Sequence, residues 1–207
     1  MFPNRSSKTF LLGILVVFLA GCATTESSRF YTLTSMAASN DQTFSEDTAR
    51  KLSIGVGPVQ IPAYLDRQQI VTAGDKNRLH LSEFDRWAGS LRDDFTRVLS
   101  ENLSLLLSTN HVFIFPWRGS TPIDYRIEVE VIRFDGVPDG DATLMARWTL
   151  FNGNENKVLA MKTVKFTEAV QSRGYEGLVA AESRTLTLLS RDIAVMIRRL
   201  SQKTAEQ

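Results

Sequence analysis

With 24 basic against 23 acidic residues over 207 positions, the chain is close to neutral, which excludes the strongly basic face that nucleic-acid binders present. Its length suits one domain with a substantial core, and a single cysteine excludes an internal disulfide. The two histidines, His80 and His111, lie 31 residues apart without a Cys, Asp or Glu at zinc-motif spacing, so no metal site is expected.

The chain opens with Arg5 and Lys8, an apolar run from Phe10 to Ala20, and then Leu19-Ala20-Gly21-Cys22. A basic start, a short apolar centre and small residues at the cut define a secretory signal. The cysteine directly after the cut makes it a lipobox, because a thiolate is the side-chain nucleophile suited to accept a diacylglyceryl group. Eleven apolar residues cover roughly 16 Å of helix, about half of a ~30 Å hydrocarbon core, so the run is too short to span a bilayer. Residues 1–21 are therefore expected to be a lipoprotein signal peptide, and residues 22–29 a lipidated N-terminus and tether that reaches at most about 25 Å. A diacyl anchor that also carries palmitate holds a protein on a membrane essentially permanently. Ala23 stands where an inner-membrane retention aspartate would, which favours the periplasmic face of the outer membrane. Without residues 1–21 the balance is 22 basic to 23 acidic residues.

A single domain is expected over residues 30–203. Phe30 to Thr34 reads as a first strand, followed by a polar loop from Ala37 to Lys51. Leu52 to Ile61 is a second strand, broken or bent at Gly57-Pro58, and Pro62 to Arg67 turns the chain. Gln68–Ala73 and Arg78–Leu81 form a hairpin around Gly74-Asp75-Lys76-Asn77. Trp87, Leu91, Phe95, Val98, Leu99, Leu103 and Leu106 then fall at helical spacing, which predicts a helix over roughly 84–108. Val112–Trp117 is a strand stopped by Pro116. Residues 124–134, 143–151 and 157–168 alternate as a three-stranded antiparallel meander, and a second amphipathic helix is predicted over about 175–202. The expected architecture is α+β: a two-layer sandwich with a mostly antiparallel sheet and two long helices packed on one face.

Catalytic patterns are scarce. Gly55-Val56-Gly57-Pro58 lacks the third glycine of a phosphate loop, loses an amide donor at Pro58 and continues as strand, so it is a bend. Glu128 and Glu130 share a strand face without a partner to raise either carboxyl, as on a solvated face. Trp87, Trp117 and Trp148 either pack as core or wall a lipid groove. Pro62, Tyr64, Leu65, Asp66 and Arg67 form the candidate partner-binding turn; Tyr64 and Leu65 are either an exposed contact or a plug under the hairpin.

The lipobox, Arg29 to Leu33, the long block from Ile54 to Thr72, Arg86-Trp87-Ala88 and Asp94 to Leu103 occur here in order. In these blocks the chain resembles the PqiC-like lipoproteins, also called ABC-type transport auxiliary lipoprotein components; beyond Phe134 the likeness is mainly one of layout. The resemblance implies an outer-membrane lipoprotein that works with an inner-membrane MCE-domain protein in lipid transport, with no catalytic residue, cofactor or nucleotide site of its own. A ring of identical subunits and contact with phospholipid go with that picture. Two other readings remain: a lipoprotein that holds an acyl chain in a cavity lined by Trp148, Leu150, Phe166 and Leu189, and an envelope hydrolase. Cys22→Ser is expected to leave an unprocessed precursor on a gel; normal maturation of that variant would refute lipidation.

Overall fold

The computed structural model describes residues 26–36, 52–75, 77–117, 121–153 and 157–205, so Cys22, the loop at 37–51 and Lys76 lie outside the described residues. The elements are β1 (Arg29–Tyr31), β2 (Ile54–Gln60), β3 (Gln69–Ala73), β4 (Leu79–Trp87), α1 (Leu91–Leu107), β5 (Val112–Ile114), β6 (Tyr125–Gly136), β7 (Asp141–Asn152), β8 (Val158–Ala169) and α2 (Gly174–Ala205). The α+β sandwich with two helices on the larger sheet is the architecture the pattern implies.

The core follows from strict alternation. Ile127, Val129 and Val131 of β6 face inward and stand opposite Leu150, Trp148 and Ala146 of β7, so each cross-strand pair adds apolar area to one face. The helices cover that face. Phe95 of α1 meets Phe134 edge to face, with ring centroids 5.5 Å apart, while Leu186, Leu189, Ile193 and Ile197 of α2 are fully buried. Trp148 is completely enclosed, and its indole N–H donates to Asp192 Oδ2 at 3.0 Å, which removes the cost of burying that donor.

The strands divide into two sheets, which the sequence pattern does not foretell. One has the order β5-β2-β6-β7-β8, and a smaller one has the order β1-β4-β3. The long β6–β7 and β7–β8 pairings and the β3–β4 hairpin are antiparallel. β2 pairs in parallel with both β5 and β6, and β1 pairs in parallel with β4. At Gly57, φ is 113° and the register with β6 shifts between Val56 and Val59, so the expected bend is a bulge inside a continuous strand.

The first helix starts later than its periodicity suggests. Trp87 lies four residues before Leu91 and so mimics a helical stripe, yet residues up to 87 belong to β4, where Asp85, Arg86 and Trp87 pair with Arg29, Phe30 and Tyr31. The true start is set by Ser90, whose Oγ accepts from the Asp93 N–H at 3.3 Å, with Asp93 and Asp94 in the positive first turn. Ser108 ends the helix in the left-handed region, at φ 51°.

The segment from Arg29 to Met36 fastens the N-terminus to everything beneath it. Asp85, 3% exposed, accepts from Arg29 Nε at 2.7 Å, the Tyr31 hydroxyl at 2.8 Å and Ser82 Oγ at 2.8 Å. Beyond β1, the Leu33 N–H donates to Asp94 Oδ2 at 2.6 Å, and Arg97 Nη2 donates to the Leu33 carbonyl at 2.8 Å. The Thr34 N–H donates to Ser183 Oγ on α2, and the Met36 N–H to Asn102 Oδ1 on α1. Asn102 in turn donates to Ser190 Oγ at 3.2 Å across the helix seam, where both residues are fully buried.

Desolvation alone would raise the Asp85 carboxyl, but hydrogen bonds from Arg29, Ser82 and Tyr31 outweigh it and hold the group below its usual value. A depressed carboxylate stabilises the fold above its unfolded pKa of about 3.9, and that contribution is lost as pH falls through the lower folded value. Asp85→Asn is therefore expected to lower Tm at neutral pH, with the gap to wild type closing in strong acid. A gap constant with pH would contradict this account.

Candidate functional site

The candidate site is an open groove of about 650 Å³ at the meeting point of β2, β5 and the first turns of α1. Its floor is Val56 to Ile61, one wall is Arg92, Asp93 and Thr96, and the other is Ile114 and Phe115. The segment that loosely resembles a phosphate loop thus forms a groove floor. Gly57 is required there twice over: its φ of 113° suits glycine, and a Cβ would stand 2.9 Å from the Cβ of Phe115. That close approach seats Phe115 at the rim, where its ring meets Trp117 edge to face at 5.2 Å.

Among the described residues, β5 is an edge strand paired with β2 alone. Ile114 and Phe115 are each 48% exposed, so the rim sets apolar side chains along a strand edge that no other described strand pairs. Neither residue stands out by sequence position. They read there as part of the strand Val112–Trp117, whereas β5 ends at Ile114 and lies at the margin of the larger sheet.

The turn at residues 62–67 continues from the groove floor. Leu65 is 2% exposed and belongs to the core, so it plugs the hairpin rather than facing solvent. Tyr64 is half-buried, Pro62 likewise, and Asp66 and Arg67 are exposed. Asp66 pairs with Arg92 on the groove wall, so turn and groove form one continuous surface.

Tyr64 and Glu182 both have the Asp135 carboxylate as an electrostatic neighbour. Glu182 of α2 is 1% exposed, and its Oε2 has no hydrogen-bond partner among the described residues. Burial first, and then the nearby Asp135 carboxylate, push Glu182 well above its ordinary value. Asp135 is paired with Arg133 at 2.8 Å. Tyr64 is raised by burial and then by Asp135.

The remaining polar candidates are dispersed. His80 is exposed on β4 and His111 is exposed just before β5, in different sheets. Glu130 pairs with Arg147 at 2.6 Å on a solvated strand face, beside exposed Glu128. Among the described residues, no group of three or more His, Cys, Asp and Glu could hold a metal ion. Trp87 and Trp148 pack as core, and Trp117 stands half-buried at the groove rim. Trp148, Leu150 and Leu189 are fully buried and Phe166 packs partly buried against the same core, so these four side chains are core packing, against the alternative reading in which they line an acyl-chain cavity.

A family model described as ABC-type transport auxiliary lipoprotein component matches residues 31–194. No curated protein is similar enough to this chain to count as a match. Among solved structures, a Xanthomonas campestris protein of the DUF330 family is 16% identical, with a TM-score of 0.66 over 84% of this chain and 99% of that one. An uncharacterized protein is 20% identical, with a TM-score of 0.65 over 83% of this chain and 99% of that one. These two likenesses show the fold. A Neisseria meningitidis lipoprotein is 14% identical over 72% of this chain and 99% of that one, and at a TM-score of 0.32 it carries no argument.

A buried carboxyl raised above its unfolded value of about 4.3 stabilises the fold below that pH, and the benefit is lost as pH rises through the folded value. Glu182→Gln keeps the neutral form at every pH, so it is expected to raise Tm at neutral pH and leave it nearly unchanged near pH 4. Equal shifts at both pH values would show that Glu182 is not held protonated.

Proposed function

This chain belongs to the ABC-type transport auxiliary lipoprotein component family, and we propose that it is a non-enzymatic docking component, lipidated at Cys22 and held on the periplasmic face of the outer membrane. In this reading its single domain receives the periplasmic end of an inner-membrane MCE-domain protein, so that lipid passes between the membranes. The observation that carries the reading is the family match across nearly the whole folded region. The tether supports it on physical grounds: a reach of at most about 25 Å keeps the domain close to its membrane, so the partner must come to it.

The surface best suited to that partner is the groove together with the turn from Pro62 to Arg67. It offers edge backbone for strand addition, apolar Ile114 and Phe115 as anchors, and the charged pair Asp66 and Arg92 at the rim. Copies of the domain arranged as a ring would each present this surface, and anchoring in one bilayer raises their effective concentration, so weak individual contacts suffice.

The test is co-purification of the full chain with a periplasmic MCE-domain protein. Phe115→Asp, Tyr64→Ala and Arg67→Ala are expected to lower recovery, whereas Met161→Asp on the exposed face of β8 leaves it intact. Leu65→Ala is unsuited to the purpose, because deleting a buried leucine costs about 2–5 kcal/mol and reports on stability instead. Full recovery with folded Phe115→Asp would move the contact elsewhere.

A further inference from the structure

Among the described residues, buried acids other than Glu182 are matched to arginines. Asp85 accepts from Arg29 at 2.7 Å, and Asp135, 4% exposed, pairs with Arg133 at 2.8 Å. Glu182 is 1% exposed, and its Oε2 has no partner among the described residues. One turn before it, α2 meets the end of β6, where a Cβ on Gly136 would stand 2.6 Å from Leu178 Cδ1. The charged group that acts on Glu182 is Asp135 of β6, which carries the same sign. Cations on the surrounding elements are engaged elsewhere: Arg184 of α2 with Glu168, Lys162 of β8 with Asp192, and Arg97 of α1 with Asp94 and Glu101. Tyr64 of the turn at 62–67 is a further titratable group that feels Asp135.

The helix is closed in at this point from more than one side. Ala181, Glu182 and Ser183 are buried in succession, and three consecutive helical residues spread over about 200°. Part of the cover is the N-terminal segment: the Thr34 N–H donates to Ser183 Oγ at 3.1 Å, and Leu33 beside it is buried. The Met36 N–H goes to Asn102, which donates to Ser190 two turns further along α2. A carboxylate formed at Glu182 finds no cation and no donor to Oε2 in this seat, so the strain is relieved by keeping the proton or by moving to water.

We propose that Glu182 is a proton-operated catch: while it carries its proton the first half of α2, residues 174–190, stays seated, and loss of the proton lets this half open together with the segment at 33–36 that is hydrogen-bonded to it. Burial and Asp135 hold the proton on the closed form well above the ordinary carboxyl range, whereas the opened, hydrated carboxyl returns to about 4.3. Between those two values each opening releases one proton. The open fraction therefore rises about tenfold per pH unit across that window, and it is level below the lower value and above the upper one. Acid favours the closed form, and rising pH weakens it. The device is independent of the docking surface at the groove.

The test is hydrogen exchange of the full chain in detergent, read by mass spectrometry from mild acid to mild alkali with labelling times scaled to the intrinsic rate. In wild type, opening of peptides over 174–190 and 30–36 is expected to rise about tenfold per pH unit, while peptides over 145–151 in β7 stay protected. Glu182→Gln, uncharged at every pH, is expected to remove the slope in both places. Asp135→Asn, which takes away the like charge, is expected to bring the upper plateau to lower pH. A wild type without the slope, an equal slope in Glu182→Gln, a rise shared by 145–151, or a rise in α2 that 30–36 does not follow each overturns the proposal. Should Glu182→Gln fail to fold, the infrared spectrum of wild type decides: a protonated-carboxyl band that persists at neutral pH supports the catch, and its absence overturns it.

Discussion

The arrangement depends on how the first structured residues are fastened. From Arg29 to Met36 the chain touches β4, α1 and α2 in turn, and at each contact a side chain takes up a backbone or guanidinium group that solvent would otherwise have to satisfy. Leu33, 1% exposed, fills the space between these contacts. The result is that the chain upstream of β1 is coupled to the small sheet and to both helices.

That coupling separates two kinds of surface. The interior is closed by interlocking side chains, with Trp148 and Phe95 at full burial and a short polar seam between the helices through Asn102 and Ser190. A seam of this kind fixes how two apolar helices are offset, since any slip would strand a buried amide. The proposed recognition surface lies at the periphery, where Gly57 allows the close approach of Phe115 and where Ile114 and Phe115 are exposed. Glu182 is the exception, a buried acid whose Oε2 has no partner among the described residues and which shares the Asp135 carboxylate as a neighbour with Tyr64.

Local pattern was enough to read the meander β6–β7–β8 and the second helix, because alternation and the 3.6-residue period are written in consecutive residues. It was enough to place Leu52–Ile61 as one strand with an irregularity at Gly57. It failed where the decisive partner is distant. Nothing near Trp87 says that it will pair with Tyr31, so a spacing of four to Leu91 pointed to helix, although Ser90 followed by Asp93 was a usable start signal. The division into two sheets and the edge position of β5 come from parallel pairings, which carry no turn to announce them. For the same reason the groove was legible only as its pieces: the turn at 62–67 stood out, while its apolar wall did not. Cys22 is an expectation from sequence alone, since it lies outside the described residues.

The parallel pairing of β1 with β4 has a mechanical side. In the anchored state proposed above, a load on the N-terminus acts first on β1. A pull along the strand axis would load the hydrogen bonds of this three-residue parallel pair together, whereas a pull across it would open them one by one.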